Sequence, residues 1–186
     1  MLYFSIAELV RSAKAAALGI KNTPGKEYQK NLEALIDNVL DPARSAFGAP
    51  ISVSSGFRCQ ELNAAVGGAG KSQHLKGEAA DITVGDRKKN HDIGVIIARQ
   101  GKFDQLIFED CGRGDLLPQW IHVSYSRTAN RGEIKKMVNG TYSRITLKEL
   151  GIESGGSKGK TIDNVGGGAK FNPSGKSKNG INKDVL

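Results

Sequence analysis

Cysteine is scarce in this chain of 186 residues, which contains only Cys59 and Cys111. Two isolated cysteines without a CxxC pair do not make the disulfide framework of a small secreted domain. A chain of this length can bury a core large enough to fold without such cross-links. We therefore expect a domain of ordinary size that is made in a reducing compartment.

Long apolar runs are also missing. No stretch approaches the roughly 18 residues that a transmembrane helix needs. The N-terminal sequence MLYFSIAE lacks the basic region, the apolar region and the cleavage site of a secretory signal. The sequence therefore predicts a protein that is made in the cytoplasm without a signal peptide and is not inserted into a membrane.

Acidic residues are sparse in the C-terminal third. Residues 1–125 hold 15 lysines and arginines against 14 aspartates and glutamates, whereas residues 126–186 hold 12 against 5. A basic segment of this kind can dock on an anionic polymer or an acidic protein surface, or its lysines only keep it in solution. Nucleic acid is not an expected partner, because the rest of the chain lacks a basic surface interleaved with aromatic residues.

Apolar periodicity predicts helices near the N-terminus. Ser5 and Glu8 form a capping-box pattern that opens a helix over residues 7–18. A second helix is predicted from Thr23-Pro24, with proline at its first position, to a kink or boundary at Asp41-Pro42. Its apolar residues follow the stripe of a core-facing helix: Leu32, Leu35, Ile36, Val39 and Leu40.

Short apolar and alternating runs predict strands after residue 50. The predicted strands are residues 50–55, 79–84, 105–109 and 120–125, and the helices between them are residues 60–66 and 90–100. This order predicts an α+β fold in which a small, mostly antiparallel sheet is backed by helices.

The composition changes after Tyr125. Glycine, serine, lysine and asparagine dominate from residue 151 onward, and such a segment cannot bury enough apolar surface to offset its ordering entropy alone. We predict a first domain over residues 1–126, a partly ordered extension over residues 127–150 and a basic tail over residues 151–186.

Histidine is rare, but two of the three histidines lie in phrases typical of metal-ligand sites. His74 and Asp81 lie in SQHLKGEAAD, and His122 lies in WIHVS. Imidazole nitrogens and carboxylate oxygens are good zinc donors, and three protein ligands with a fourth position open are the catalytic arrangement. Gly77 permits the tight path that brings His74 and Asp81 together. His91 is expected to be an exposed residue at a helix start, without a role.

A metal-assisted hydrolase also needs a base. Glu109 ends the run FDQLIFE at a strand terminus, where its carboxylate could take a proton from water and return it to a leaving amine. The alternative is an ordinary surface glutamate at a strand end.

The ordered set of phrases resembles a known family. SSGFR at residues 54–58, NAAVGG at 63–68, SQHLKGEAADI at 72–82 and WIHVS at 120–124 resemble the zinc D-Ala-D-Ala carboxypeptidase and L-alanyl-D-glutamate peptidase family. The phage-encoded branch is the most similar, and the resemblance covers about residues 3–126. Residues 103–109 are also similar to the hedgehog signalling domain, which shares the fold and places a glutamate there.

The resemblance implies a zinc peptidase that cuts peptidoglycan stem peptides. It implies His74, Asp81 and His122 as zinc ligands and supports Glu109 as the base. Arg58 would bind the substrate carboxylate or the oxyanion, a task suited to a guanidinium fork. Ser72 and Gln73 would line the same cleft.

One position departs from the family pattern. Many members carry an acidic base three positions before the last histidine, where this chain has Gln119. Either Glu109 replaces that base, or the site binds zinc with little activity. We expect a phage enzyme that reaches the bacterial wall through a holin or inside the virion. The alternative is a virion structural or wall-binding protein that retains a vestigial zinc site, with the basic tail against virion proteins.

Overall fold

A computed structural model describes residues 1–153. Nearly all of the predicted basic tail therefore lies outside the described residues. The helices of the described part are α1 (Ile6–Val10), α2 (Ala13–Leu18), α3 (Lys26–Leu35), α4 (Asp41–Phe47), α5 (Gln60–Ala65) and α6 (Arg87–Gln100). A π-helical turn at Ile36–Leu40 joins α3 to α4, and a 3-10 turn lies at Gln73–Lys76. Within this part, no helix is long and apolar enough to cross a membrane.

Six strands form one sheet. They are β1 (Ser52–Ser55), β2 (Ala79–Thr83), β3 (Gln105–Glu109), β4 (Trp120–Ser124), β5 (Glu133–Val138) and β6 (Thr141–Arg144). Their order is β1-β2-β4-β3-β5-β6, and only the β3–β5 pairing is parallel. The predicted α+β class with a mostly antiparallel sheet is confirmed. The last two strands come from residues that the sequence analysis assigned to the extension.

The N-terminal helix differs from its prediction. The capping box at Ser5 and Glu8 is present, but the single helix predicted over residues 7–18 is two helices. The backbone is extended at Arg11 (φ −65°, ψ 131°), which ends α1. The Ser12 side chain then caps α2 by accepting a hydrogen bond from the Ala15 N–H. The apolar spacing hid this break because both halves are helical.

The second helical region begins later than predicted. The helix does not begin at Pro24, since Gly25 is the N-cap of α3. A boundary is present at Asp41-Pro42 as predicted, because the π-helical turn ends at Leu40 and α4 begins at Asp41 with Pro42 in its first turn. Proline is tolerated in the first turn of an α-helix.

The sheet has one core face and one open face. Successive side chains of a strand point to opposite sides, so the apolar residues on one side pack against the helices: Ala80, Ile82, Leu106, Phe108, Ile121 and Val123. On the other side, Asp81 of β2 pairs with His122 of β4, which pairs with Ile107 of β3. Gln105 and Glu109 lie two positions from Ile107 on the same face of β3, so the register places polar groups of three adjacent strands on the open face.

Candidate metal centre

Two imidazoles and one carboxylate converge on the open face of the sheet. His74 Nε2 lies 3.3 Å from His122 Nδ1 and 3.3 Å from Asp81 Oδ1. His122 Nδ1 lies 2.9 Å from the same Asp81 oxygen. The donor atoms form a nearly equilateral triangle, and together they could hold one metal ion.

Strand register and a tight turn explain the convergence. Asp81 and His122 are direct cross-strand partners. His74 lies on the 3-10 turn, which Gly77 ends with φ +69°. A Cβ atom at Gly77 would lie 2.6 Å from the Tyr28 carbonyl oxygen, so the position requires glycine for space as well as for its backbone angle.

A hydrogen bond fixes the orientation of the His74 ring. Its Nδ1–H donates to the carbonyl oxygen of Gly56 at 2.7 Å, which leaves the lone pair of Nε2 directed at the cluster. Gly56 lies against α1, where a Cβ atom would be 2.1 Å from the Leu9 carbonyl oxygen. The glycine thus allows the chain after β1 to come close enough to α1 to present this carbonyl to His74.

Asp81 is held ionised by its neighbours. Burial alone would raise the pKa of its carboxyl group, but the adjacent imidazoles of His122 and His74 lower that pKa well below its ordinary value. Its second oxygen, Oδ2, accepts from Arg58 Nη2 at 3.0 Å. One oxygen therefore faces the imidazoles while the other is anchored.

Arg58 lies in the same cleft but is not free. Besides Asp81, its Nε donates to Ser55 Oγ at 2.9 Å. Its side chain is 17% exposed, and its Nη1 makes no hydrogen bond to any described residue. The guanidinium therefore orients Asp81 and keeps one donor group that a substrate can reach.

Glu109 is a buried carboxyl group in the cleft. The residue is 6% exposed, and within residues 1–153 its Oε2 has no hydrogen-bond partner. Its Oε1 lies 3.5 Å from the Tyr142 hydroxyl. Burial raises the pKa of Glu109. The nearby His122 imidazole opposes this rise, and the Asp81 charge adds to it.

Ser72 and Gln73 line the cleft but are partly occupied. The Ser72 hydroxyl accepts from the His74 N–H, so it caps the 3-10 turn. The Gln73 amide donates to Asp104 at 2.8 Å. Both residues thus support the His74 turn and retain other polar atoms toward the cleft.

Two other residues from the sequence analysis lie outside the cleft. Gln119 is exposed just before β4, and its N–H donates to the Glu109 carbonyl oxygen at 2.9 Å. His91 was predicted to be exposed, but its side chain is only 25% exposed and its ring lies 5.7 Å from the Phe108 ring.

The cleft has a volume of about 480 Å³ and contains residues that the sequence analysis missed. Gln105 and Trp120 line it because they lie two positions from Ile107 and His122 on the same face of their strands. That alternation could have identified them. Tyr142 also lines it, and no local signal in the sequence connects β6 with a site built from β2, β3 and β4.

A comparison with known proteins identifies the family of the chain. A family model described as Peptidase M15 matches residues 2–124. The matched range contains the His74, Asp81 and His122 cluster as well as Arg58 and Glu109, and it ends before β5. No curated protein sequence matches the chain.

Proposed function

The chain belongs to the peptidase M15 family of metal-dependent peptidases, and we propose that it is a zinc peptidase that hydrolyses peptidoglycan stem peptides. The observation that carries this proposal is the triangle of donor atoms from His74, Asp81 and His122, with a buried, unpaired carboxylate oxygen of Glu109 in the same cleft.

The donor set fits zinc in both chemistry and spacing. Nitrogen and oxygen donors at tetrahedral zinc are separated by about 3.3 Å, which follows from bond lengths of about 2.0–2.1 Å. The three separations here are 3.3, 3.3 and 2.9 Å. The side chains therefore need little rearrangement to share one ion. Other divalent metals also accept this donor set, and zinc is preferred for its imidazole-rich composition.

Each residue has a role that follows from its contacts. A zinc ion held by His74, Asp81 and His122 would supply a Lewis acid and lower the pKa of the attacking water. The Glu109 carboxylate would accept the proton of that water and return it to the leaving amine. Its raised pKa suits this exchange, because a base works best when its pKa lies near the working pH.

Arg58 has two tasks in this proposal. It holds Oδ2 of Asp81, so that Oδ1 stays turned toward the two imidazoles. Its remaining donors bind the negative charge that develops on the substrate carbonyl oxygen, or the terminal carboxylate of the substrate. Ser72 and Gln73 bind the peptide beside it.

The biological setting of the proposal is bacteriophage infection. The phrases at residues 54–58, 63–68, 72–82 and 120–124 resemble phage-encoded murein peptidases and support an endolysin or a virion-associated enzyme. The basic composition of residues 126–186 favours a second candidate, a virion structural or wall-binding protein with a vestigial zinc site.

Digestion of purified muropeptides by the full chain distinguishes these candidates. We expect new termini in the mass spectrum with zinc and none with a chelator, and the termini identify the D-Ala-D-Ala or the L-alanyl-D-glutamate bond. The His122→Ala variant should be inactive, while the matched control His91→Gln should retain wild-type turnover. Zinc binding without any cleavage would support the structural candidate instead, and cleavage that survives the chelator would overturn the metal mechanism.

A further inference from the structure

The β5–β6 hairpin brings one side chain into the cleft. Tyr142 lies on β6, pairs with Met137 of β5 and lines the cleft together with the three candidate ligands. The hairpin reaches this position because β5 adds to β3 in parallel, directly beside the strand that ends in Glu109. The family match ends at residue 124, so Tyr142 comes from outside the matched part of the chain.

The Tyr142 hydroxyl is the one side-chain donor to Glu109 among the described residues. It lies 3.5 Å from Oε1, while Oε2 is buried and unpaired. A buried carboxylate ordinarily accepts several hydrogen bonds, and each missing partner is costly. The long Tyr142 contact is typical of a catalytic hydrogen bond that tightens when substrate binds.

We propose that Tyr142 is a positioning residue for Glu109: its hydroxyl holds Oε1 and so fixes the orientation in which the carboxylate takes the proton from water. The terminal torsion of a glutamate is soft, and without this donor the carboxylate could rotate away from a productive orientation. The inference rests on the proposed function, because it assigns Glu109 the part of the base.

Removal of the hydroxyl should affect the step that uses Glu109 and spare substrate binding. The charged groups that face Glu109 are Asp81 from β2, His122 from β4 and the adjacent Asp110, and Tyr142 faces it from β6. The Tyr142→Phe variant keeps all of these groups except the Tyr142 hydroxyl. Because a hydrogen bond to the ionised form stabilises that form, its loss should raise the pKa of Glu109 and move the acidic limb of the pH profile upward.

The test compares Tyr142→Phe with Tyr3→Phe in the full chain. Tyr3 is a suitable control because it is similarly exposed, at 44% against 54%, and lies beside Arg44 away from the cleft. We expect Tyr142→Phe to lower kcat about tenfold, the scale of one lost hydrogen bond to a charged group, with KM within twofold of wild type. Tyr3→Phe should match wild type.

A second measurement separates failure of this inference from failure of the proposed function. Carbon-13 NMR titration of the Glu109 carboxyl group needs no activity, and we expect a higher pKa in Tyr142→Phe than in wild type. An unchanged kcat with an unchanged Glu109 pKa would overturn the inference, as would a loss confined to KM. A wild-type chain that cleaves no muropeptide would refute the proposed function alone, and the titration would still decide whether Tyr142 acts on Glu109.

Discussion

Replacement of Glu109 by glutamine should separate activity from stability. The substitution keeps the shape of the side chain and removes its charge, so Oε1 can still accept from Tyr142 at the 3.5 Å contact. The position of Oε2, which has no partner within residues 1–153, is then taken by a neutral amide group. The variant can no longer accept a proton, and we expect kcat on muropeptides to fall by about 10²- to 10⁴-fold.

The same change should stabilise the fold at neutral pH. Glu109 is 6% exposed, and burial raises its pKa above the unfolded value. The folded state therefore binds more protons than the unfolded state between those two pKa values, and its stability falls as pH rises through that window. An unpaired buried polar group costs about 1–3 kcal/mol, and more when it is charged. Since the amide retains part of that cost, we expect the free energy of unfolding to rise by about 1 kcal/mol at pH 7.

Urea denaturation of the metal-free chain at pH 7 and near pH 4 measures this effect. The increase in the free energy of unfolding caused by Glu109→Gln should be smaller at the lower pH, where the wild-type carboxyl group is protonated. Glu133→Gln is the matched control with the opposite sign, because hydrogen bonds from Gln105 and Lys135 lower the pKa of Glu133 to about 2. That variant should be less stable than wild type at pH 7. A Glu109→Gln variant that is active within a few-fold of wild type, or less stable at pH 7, would refute the reasoning.

Three further substitutions test the zinc ligands, the turn after His74 and the Asp104 ion pair. His74→Ala should lower zinc affinity by at least about tenfold, measured by competition with a chromophoric chelator, because only two of the three ligands remain. Gly77→Ala should lower the free energy of unfolding by more than Gly67→Ala in urea titrations. Both positions have positive φ, which costs about 1–2 kcal/mol, but only at Gly77 would the Cβ atom meet backbone within 2.6 Å. Asp104→Asn should lower the free energy of unfolding by about 2 kcal/mol at pH 7, because Arg131 donates to the Asp104 carboxylate. The hydrogen bonds from Arg131 lower the pKa of Asp104 to about 2, so the stability difference between variant and wild type should vanish as pH falls toward that value.

The sequence was sufficient for the parts of the site that depend on local pattern. Period-two alternation around His122 and the run that ends at Glu109 identified β4 and β3, with the bounds of β3 predicted correctly. The phrase with Gly77 placed His74 and Asp81 on adjacent elements, because positive φ at that glycine is a local requirement.

The sequence was insufficient where tertiary contacts decide the structure. The break at Arg11 depends on the Ser12 cap, which competes with a continuous helix of nearly equal propensity. The role of Arg58 as a partner of Asp81 depends on the β1–β2 pairing, in which Ser55 lies opposite Asp81. Tyr142 reaches Glu109 only because β5 joins β3 in parallel, and a non-local pairing of this kind leaves no local pattern in a single sequence.

We propose that His74, Asp81 and His122 together bind one zinc ion. Anomalous diffraction at the zinc edge from crystals of the zinc-loaded full chain would locate that ion. We expect one strong peak at about 2.0–2.2 Å from His74 Nε2, Asp81 Oδ1 and His122 Nδ1. A structure with no peak at these three atoms, or with zinc bound only elsewhere, would exclude this site.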